Sequence, residues 1–369
     1  MKIAVVQGTR PEIIKNYSIV AALKQYQLPH AVFHTNQHAS EEMRDQIYTK
    51  LRYTPTHVLP GPYRIGLAID WLQSEYEREG ITHVIVNGDT AASVAGALSA
   101  MYSGIGVSHV EAGLRAQDPV MLEERNRIMV DAMASLLFAY TDYEHETLRA
   151  SADIRGKIFV LGNTTVDILA DFHDLLETRP LSEPYVYATL HRREFTSSID
   201  RMRLVFAALS EIASKHCPVV LPLHPRTRDA VERAGLHGQL QKISVIDSLN
   251  PFQSLCYQKH ALAVMTDSGC VQEEAYLLGV PCVTIRDNTE RKLTVANHAN
   301  RVTGFDRSSI LNAFEWAINL KPRGWPEIYG KPGVGARIVA CINRELTNSL
   351  ETPKSLAIRA ENLQLSIRS

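Results

Sequence analysis

Two consecutive α/β units, each a parallel sheet wrapped by helices, are what this 369-residue chain predicts. Three observations carry the prediction. Short β-branched runs alternate with longer amphipathic stretches, and the runs are apolar throughout, as strands covered on both faces must be. The alternation pauses once, at a polar stretch containing prolines, and then resumes. The length exceeds what one hydrophobic core usually supports, at about 150 residues per domain.

In chain order, "KIAVV", "AVFHT", "HVIVN", "GVSHVEA" and "KIFVLG" read as strands, with "AASVAGALSAMY" and "RIMVDAMASLLFAY" as helices between them. The pause is "ETRPLSEPY" at 177–185. Beyond it "YVYATLH", "PVVLPLH", "ISVIDS", "ALAVMTDSG" and "PCVTIRD" restart the pattern. The expected domains are therefore 1–176 and 186–350, joined by a hinge at 177–185. A final helical stretch, 351–369, is expected to pack back on the first domain. No fixed-period repeat is visible.

The formal charge of −1, from 39 Lys and Arg against 40 Asp and Glu, gives no global field that would gather nucleic acid or an anionic membrane. An anion must be met locally. The five cysteines form no CxxC pair and are odd in number, as expected of reduced thiols in a cytoplasmic protein. The first apolar run is too short for a signal-peptide core, and none approaches a membrane span.

In open parallel sheets ligands bind beyond the carboxyl ends of the strands, and polar residues follow the strands here with regularity. Gly8-Thr9-Arg10, Gly88-Asp89-Thr90 and Glu111-Ala112-Gly113 do so in the first half. His191-Arg192-Arg193-Glu194, His224-Pro225-Arg226, Asp267-Ser268-Gly269 and Arg286-Asp287 do so in the second. Two such edges facing each other make one cleft.

"GTRPE" reads equally as a tight turn with Pro11 in the first helical turn, or as an anion site in which Arg10 and Lys15 meet a phosphate. "TDSGCVQEEA" places a helix start at Ser268-Gly269, where small residues let a diphosphate approach free N–H groups, with Glu274 further along to accept ribose hydroxyls. Asp89, Glu111 and Glu123 or Glu124 cluster as carboxylates suited to proton transfer, with a salt-bridge network through Arg115, Arg125 and Arg127 as the alternative. His191, followed by two arginines, is expected beside an anion. Neither GxGxxG nor a P-loop occurs, and neither zinc spacing nor a DxD pair is present, so neither NAD nor a metal is expected.

"GTRPEIIK", "NGDT", "HVEAGLR", "EERNR", "GNTTVDIL", "TLHRRE", "TDSGCVQEEA" and "RDNTER" together, in this order, resemble the non-hydrolysing UDP-N-acetylglucosamine 2-epimerases over residues 1 to about 304. The resemblance implies the GT-B architecture and interconversion of UDP-GlcNAc and UDP-ManNAc without NAD, by loss of UDP to a 2-acetamidoglucal and its return with C2 inverted. It implies Asp89, Glu111, Glu123 and His191 as the catalytic set. The expected substrate contacts are Arg10, Lys15, Arg192, His224, Phe252, Ser268, Gly269, Glu274 and Arg291. Gln37 and His38 mark a possible allosteric site, and a homodimer is implied. Phe195 stands where the family has a small polar residue, and Cys270 where it has a glycine. A related UDP-2-acetamido sugar as substrate, a hydrolysing epimerase and a GT-B glycosyltransferase remain alternatives.

Overall fold

The computed structural model describes residues 1–37, 41–320 and 324–350. His38 and the stretch 351–369 lie outside the described residues. The first sheet is built from β1 (Ile3–Gln7), β2 (His30–His34), β3 (His57–Val58), β4 (His83–Asn87), β5 (Gly106–Val110), β6 (Leu136–Ala139) and β7 (Lys157–Val160). Its spatial order is 3, 2, 1, 4, 5, 6, 7, with every pairing parallel. The second sheet contains β8 (Val186–Thr189), β9 (Val219–Pro222), β10 (Ser244–Ile246), β11 (Ala263–Thr266), β12 (Cys282–Thr284) and β13 (Asn300–Val302). Its order is 10, 9, 8, 11, 12, 13, again all parallel.

Each sheet reverses its winding once, between β1 and β4 and between β8 and β11. Crevices open beyond the carboxyl ends of the strands at such switch points. Parallel strands need helical crossovers, which cover both faces, so β1, β4 and β11 are buried along their whole length. No described helix is long and apolar enough to cross a membrane.

Two expectations about the fold are corrected. "LLFAY" is not the end of a helix: the helix Leu122–Met133 stops and Leu136–Ala139 is the fully buried β6. A short, wholly apolar run has no periodicity that separates buried strand from buried helix.

The second correction concerns the domain limits. The segment returning to the first domain is already the helix Val334–Leu350, which the sequence assigns to the second. Its apolar stripe, Val334, Ile338, Val339 and Ile342, joins the core of the first domain. Asp167 accepts the N–H groups of Gly333, Val334 and Gly335 at 2.6, 3.0 and 2.8 Å, fixing the start of the helix. Gly335 permits the approach, because a Cβ there would lie 2.4 Å from the backbone of Ser18.

Candidate functional site

The turn after β1 is closed by its own carboxylate. Glu12 accepts the N–H groups of Gly8 and Thr9 at 2.9 and 2.8 Å, and the hydroxyls of Thr9, Thr90 and Ser93 at 2.9, 2.6 and 3.0 Å. The N–H groups of Gly8 and Thr9 are therefore satisfied within the turn. Its role is to aim the short helix Arg10–Lys15, whose last residue is buried against the cleft.

Lys15 Nζ lies 2.6 Å from Glu111, 3.3 Å from Glu273 and 3.3 Å from the Tyr140 hydroxyl. Burial by itself would lower the ammonium, but facing Cys270, Glu111 and Glu273 hold it well above the usual lysine range. Glu111 sits in left-handed backbone at φ 71°, a costly conformation for a non-glycine residue and one that turns its side chain off the end of β5. Tyr140 donates to it at 3.0 Å, and Arg291 reaches its other oxygen at 2.7 Å. Burial would raise Glu111, but Lys15 and Arg291 prevail and hold it at about 2.

Asp89 follows β4 and pairs with Arg127, while its backbone carbonyl accepts Asn126 Nδ2 at 2.8 Å. Burial pushes its carboxyl above the usual range, Glu111 and Glu123 repel it further, and Arg127 and Arg192 oppose. Its side chain is still 23 % exposed, against 6 % for Glu111. Asp89, though paired with Arg127, is thus partly open to solvent, whereas Glu111 is closed off between Lys15 and Arg291. The adjacent glutamates on the helix Leu122–Met133 also separate. Glu124 is buried and accepts the N–H groups of Ala116 and Gln117 at 2.9 and 3.0 Å, a structural task. Glu123 is half-buried, within electrostatic reach of both Asp89 and Arg192.

From the second domain, Asp267 at the end of β11 accepts the N–H groups of His191 and Arg192 at 2.9 and 2.8 Å, tying the ends of β8 and β11 together. The His191 ring stacks on His224 with centroids 5.1 Å apart. Ser268 precedes the helix Gly269–Leu277 and makes no side-chain cap. A Cβ at Gly269 would lie 2.5 Å from Glu290 Oε1, so only glycine lets Glu290 sit against the helix start. Arg291, Arg286, Arg192 and Arg127 surround Glu290 and hold its carboxyl well below the usual range despite burial. The Nε atoms of Arg127 and Arg291 are buried and make no hydrogen bond, so these arginines retain donor capacity.

Cross-cleft contacts join the halves. Glu273, wholly buried and paired with Arg291 of its own domain at 2.6 Å, meets Lys15 at 3.3 Å and Asn163 at 3.0 Å across the cleft. Met121 of the first domain sits under Arg192 and Arg286, with sulfur-to-nitrogen distances of 4.0 and 3.9 Å.

The structure therefore brings Lys15, Glu111 and Arg291 into direct contact, with Asp89, Glu123, Arg192, Ser268 and Gly269 around them. Arg10 is half-buried at the first turn of its helix, and burial lowers its guanidinium. Glu274 lies outside this cluster, on the same helix as Gly269, and accepts Gln258 Nε2 at 2.6 Å; burial pushes its carboxyl up to about 7. Gln37 accepts the N–H of Ala92 at 2.9 Å, at the start of the helix after Thr90.

Phe252 is not brought to the charged cluster. It is 3 % exposed, with its ring 4.8 Å from Phe172 and Lys50 Nζ 5.4 Å above it, in the core shared by the domains. Phe195 is likewise core, packed edge-on to Phe206 at 5.6 Å, and not a wall of the cleft. Glu273, Glu290 and Tyr140 escaped the sequence reading, although Glu273 adjoins Glu274 and Glu290 lies within the quoted "RDNTER"; Arg286 was placed at a strand end without a role.

Two Rossmann-like sheets with switch points facing across a carboxylate- and arginine-lined cleft define an enzyme of GT-B architecture. The model of the UDP-N-acetylglucosamine 2-epimerase family matches residues 21–343. A UDP-N-acetylglucosamine 2-epimerase of Methanocaldococcus jannaschii is 35 % identical over 365 residues, covering 92 % of this chain and 98 % of its own. A UDP-2,3-diacetamido-2,3-dideoxy-D-glucuronate 2-epimerase of Pseudomonas aeruginosa is 33 % identical, over 92 % of this chain and 98 % of its own. The crystal structure of the M. jannaschii UDP-GlcNAc 2-epimerase in complex with UDP-GlcNAc and UDP superposes with a TM-score of 0.88 at 35 % identity, covering 93 % of this chain and all of that one. The chain belongs to the UDP-N-acetylglucosamine 2-epimerase family and is an isomerase.

Proposed function

We propose that this enzyme interconverts UDP-GlcNAc and UDP-ManNAc without hydrolysis, by eliminating UDP to a 2-acetamidoglucal and adding it back with C2 inverted. The observation that carries the reading is the convergence, in one cleft, of three carboxyl side chains from the first domain with the arginines of the second. Relatives solved with UDP-GlcNAc support the substrate class.

The C2 proton of a sugar is not appreciably acidic, so the C1–O bond must loosen as the proton leaves. The departing diphosphate then has to be stabilised. Lys15, Arg192, Arg286, Arg291 and the helix start at Ser268-Gly269 supply that charge and those donors, together with Arg10 and His191. Inversion requires a proton removed from one face and delivered to the other, so two groups must act. Asp89 is suited to one role, because its carboxyl is raised and solvent-accessible. Glu123 stands near it as the second. Glu111 is held by Lys15 of its own domain and by Arg291 of the other, and parting of the domains frees it from Arg291. Glu274 suits the ribose. Each step is a proton transfer or a C–O cleavage and asks for neither NAD nor a metal.

The reading extends to a homodimer in the cytoplasm. Leu67, Met101, Tyr102, Ile128 and Met129 are 44–72 % exposed on helices packed side by side on one face of the first sheet. Five unpaired cysteines suit a reducing compartment.

Product analysis by proton NMR on a panel of UDP-2-acetamido sugars tests the function. Intact UDP-ManNAc from UDP-GlcNAc supports it. Free sugar plus UDP would indicate the hydrolysing reaction. Turnover confined to a 2,3-diacetamido uronate, the substrate in the name of the Pseudomonas relative, would move the activity to that sugar.

A further inference from the structure

His109 lies in the middle of the first sheet, on β5, with a fully buried ring. Its Nδ1 is 2.7 Å from Asp131 Oδ1 and its Nε2 is 3.0 Å from the carbonyl oxygen of Gly88. A neutral imidazole has one donor and one acceptor. Here both neighbours are acceptors. Gly88 offers a carbonyl. Asp131 is a carboxylate, since its other oxygen pairs with Arg115 Nη2 at 2.7 Å and accepts the N–H of Gly113 at 3.3 Å. Each ring nitrogen must therefore donate, which makes the ring an imidazolium held by Asp131.

The residue after Gly88 is Asp89. Gly88 is in left-handed backbone at φ 74°, and its N–H is fixed to Val110 O at 2.9 Å. The peptide joining Gly88 to Asp89 is held at its carbonyl by His109, and the next peptide is held by Asn126 through the Asp89 carbonyl. Glycine is the residue most able to let that peptide rotate. A charge-assisted donor at its oxygen counters this rotation, and such bonds are the strong ones. Asp131, Asn126 and Arg127 all come from the helix Leu122–Met133, so one helix frames the Asp89 backbone and carboxylate together.

We infer that His109, ionised and oriented by Asp131 and Arg115, is a positioning residue that aims Asp89 at the reacting carbon by locking the Gly88–Asp89 peptide. The inference rests on the reading of Asp89 as an acid/base group. His109 acts through the backbone and touches neither the Asp89 carboxylate nor the groups facing it, which are Arg127, Glu111, Glu123 and Arg192.

Two measurements test it. In protein labelled with 15N-histidine, the wild-type His109 ring, identified by its loss in His109→Gln, should show two protected N–H protons at neutral pH. One N–H alone would overturn the proposal. In the Asp131→Asn protein the ring loses its counter-charge. C2 proton exchange per bound substrate should then fall about 100-fold, as expected for a misaimed catalytic group, while UDP affinity stays close to wild type. Unchanged exchange, or exchange and UDP affinity falling in parallel, would overturn the positioning role. Absence of exchange in the wild type would instead refute the proposed function, and the two-proton result would still decide the His109 geometry.

Discussion

Replacing Lys15 by methionine keeps the length of the side chain and removes one buried ammonium. Its partners are Glu111 at 2.6 Å and Glu273 at 3.3 Å, both nearly or wholly inaccessible. Removing one partner of a buried pair typically costs about 3–5 kcal/mol. Arg291 remains on both carboxylates, at 2.7 and 2.6 Å, so the loss should sit near the low end. Glu111 gives a second figure. Its value of about 2, against 4.5 for the free group, corresponds to about 3 kcal/mol shared between Lys15 and Arg291. A loss of about 2–3 kcal/mol at neutral pH reconciles the two. The sign follows from the depressed carboxylate: its stabilisation is complete above the unfolded value near 4.5 and disappears as pH falls toward 2. Urea unfolding followed by tryptophan fluorescence should show the Lys15→Met gap full at neutral pH and narrowing on acidification through that window. A variant as stable as wild type, or a gap that does not narrow, would refute the pairing.

Three other outcomes follow from the geometry. Glu274, pushed up to about 7 by burial, should bind ribose hydroxyls only when ionised, so UDP affinity measured by calorimetry should tighten as pH rises through neutrality, a component Glu274→Gln should lack. Gly269→Ala forces a methyl to within 2.5 Å of Glu290 Oε1; overpacking of about 1–3 kcal/mol should appear as a lower melting temperature together with weaker UDP binding. Asp167→Asn removes the carboxylate that accepts three N–H groups at the start of Val334–Leu350, which should cost about 1–3 kcal/mol in thermal unfolding without changing the affinity for UDP.

Asp89, Glu111, His191 and Asp267 were legible because parallel strands buried on both faces read as apolar runs, and the first polar residue after each run marks the functional edge of the sheet. Which side of a turn a residue serves was not legible. "GTRPE" carries both a cation and a carboxylate, and only the fold shows Glu12 closing the loop while Lys15 leaves it. Adjacent glutamates separate by about 100° around a helix, so which of Glu273 and Glu274, and which of Glu123 and Glu124, is drawn into buried ion pairs depends on which face meets the surrounding structure. The contact of Glu111 with Arg291 joins residues far apart in sequence in different domains, and no local pattern announces it. The return of Val334–Leu350 was missed for the same reason: its apolar stripe suits any helix-sized gap, and the gap lies on the first domain.

The central claim, that the cleft carries a proton off C2 and returns one to it, is tested most directly by incubating UDP-GlcNAc with the enzyme in heavy water and following C2 by NMR. The account predicts deuterium at C2 in recovered UDP-GlcNAc and in UDP-ManNAc, and loss of that incorporation in Asp89→Asn with UDP binding retained. Turnover that keeps protium at C2 would contradict it.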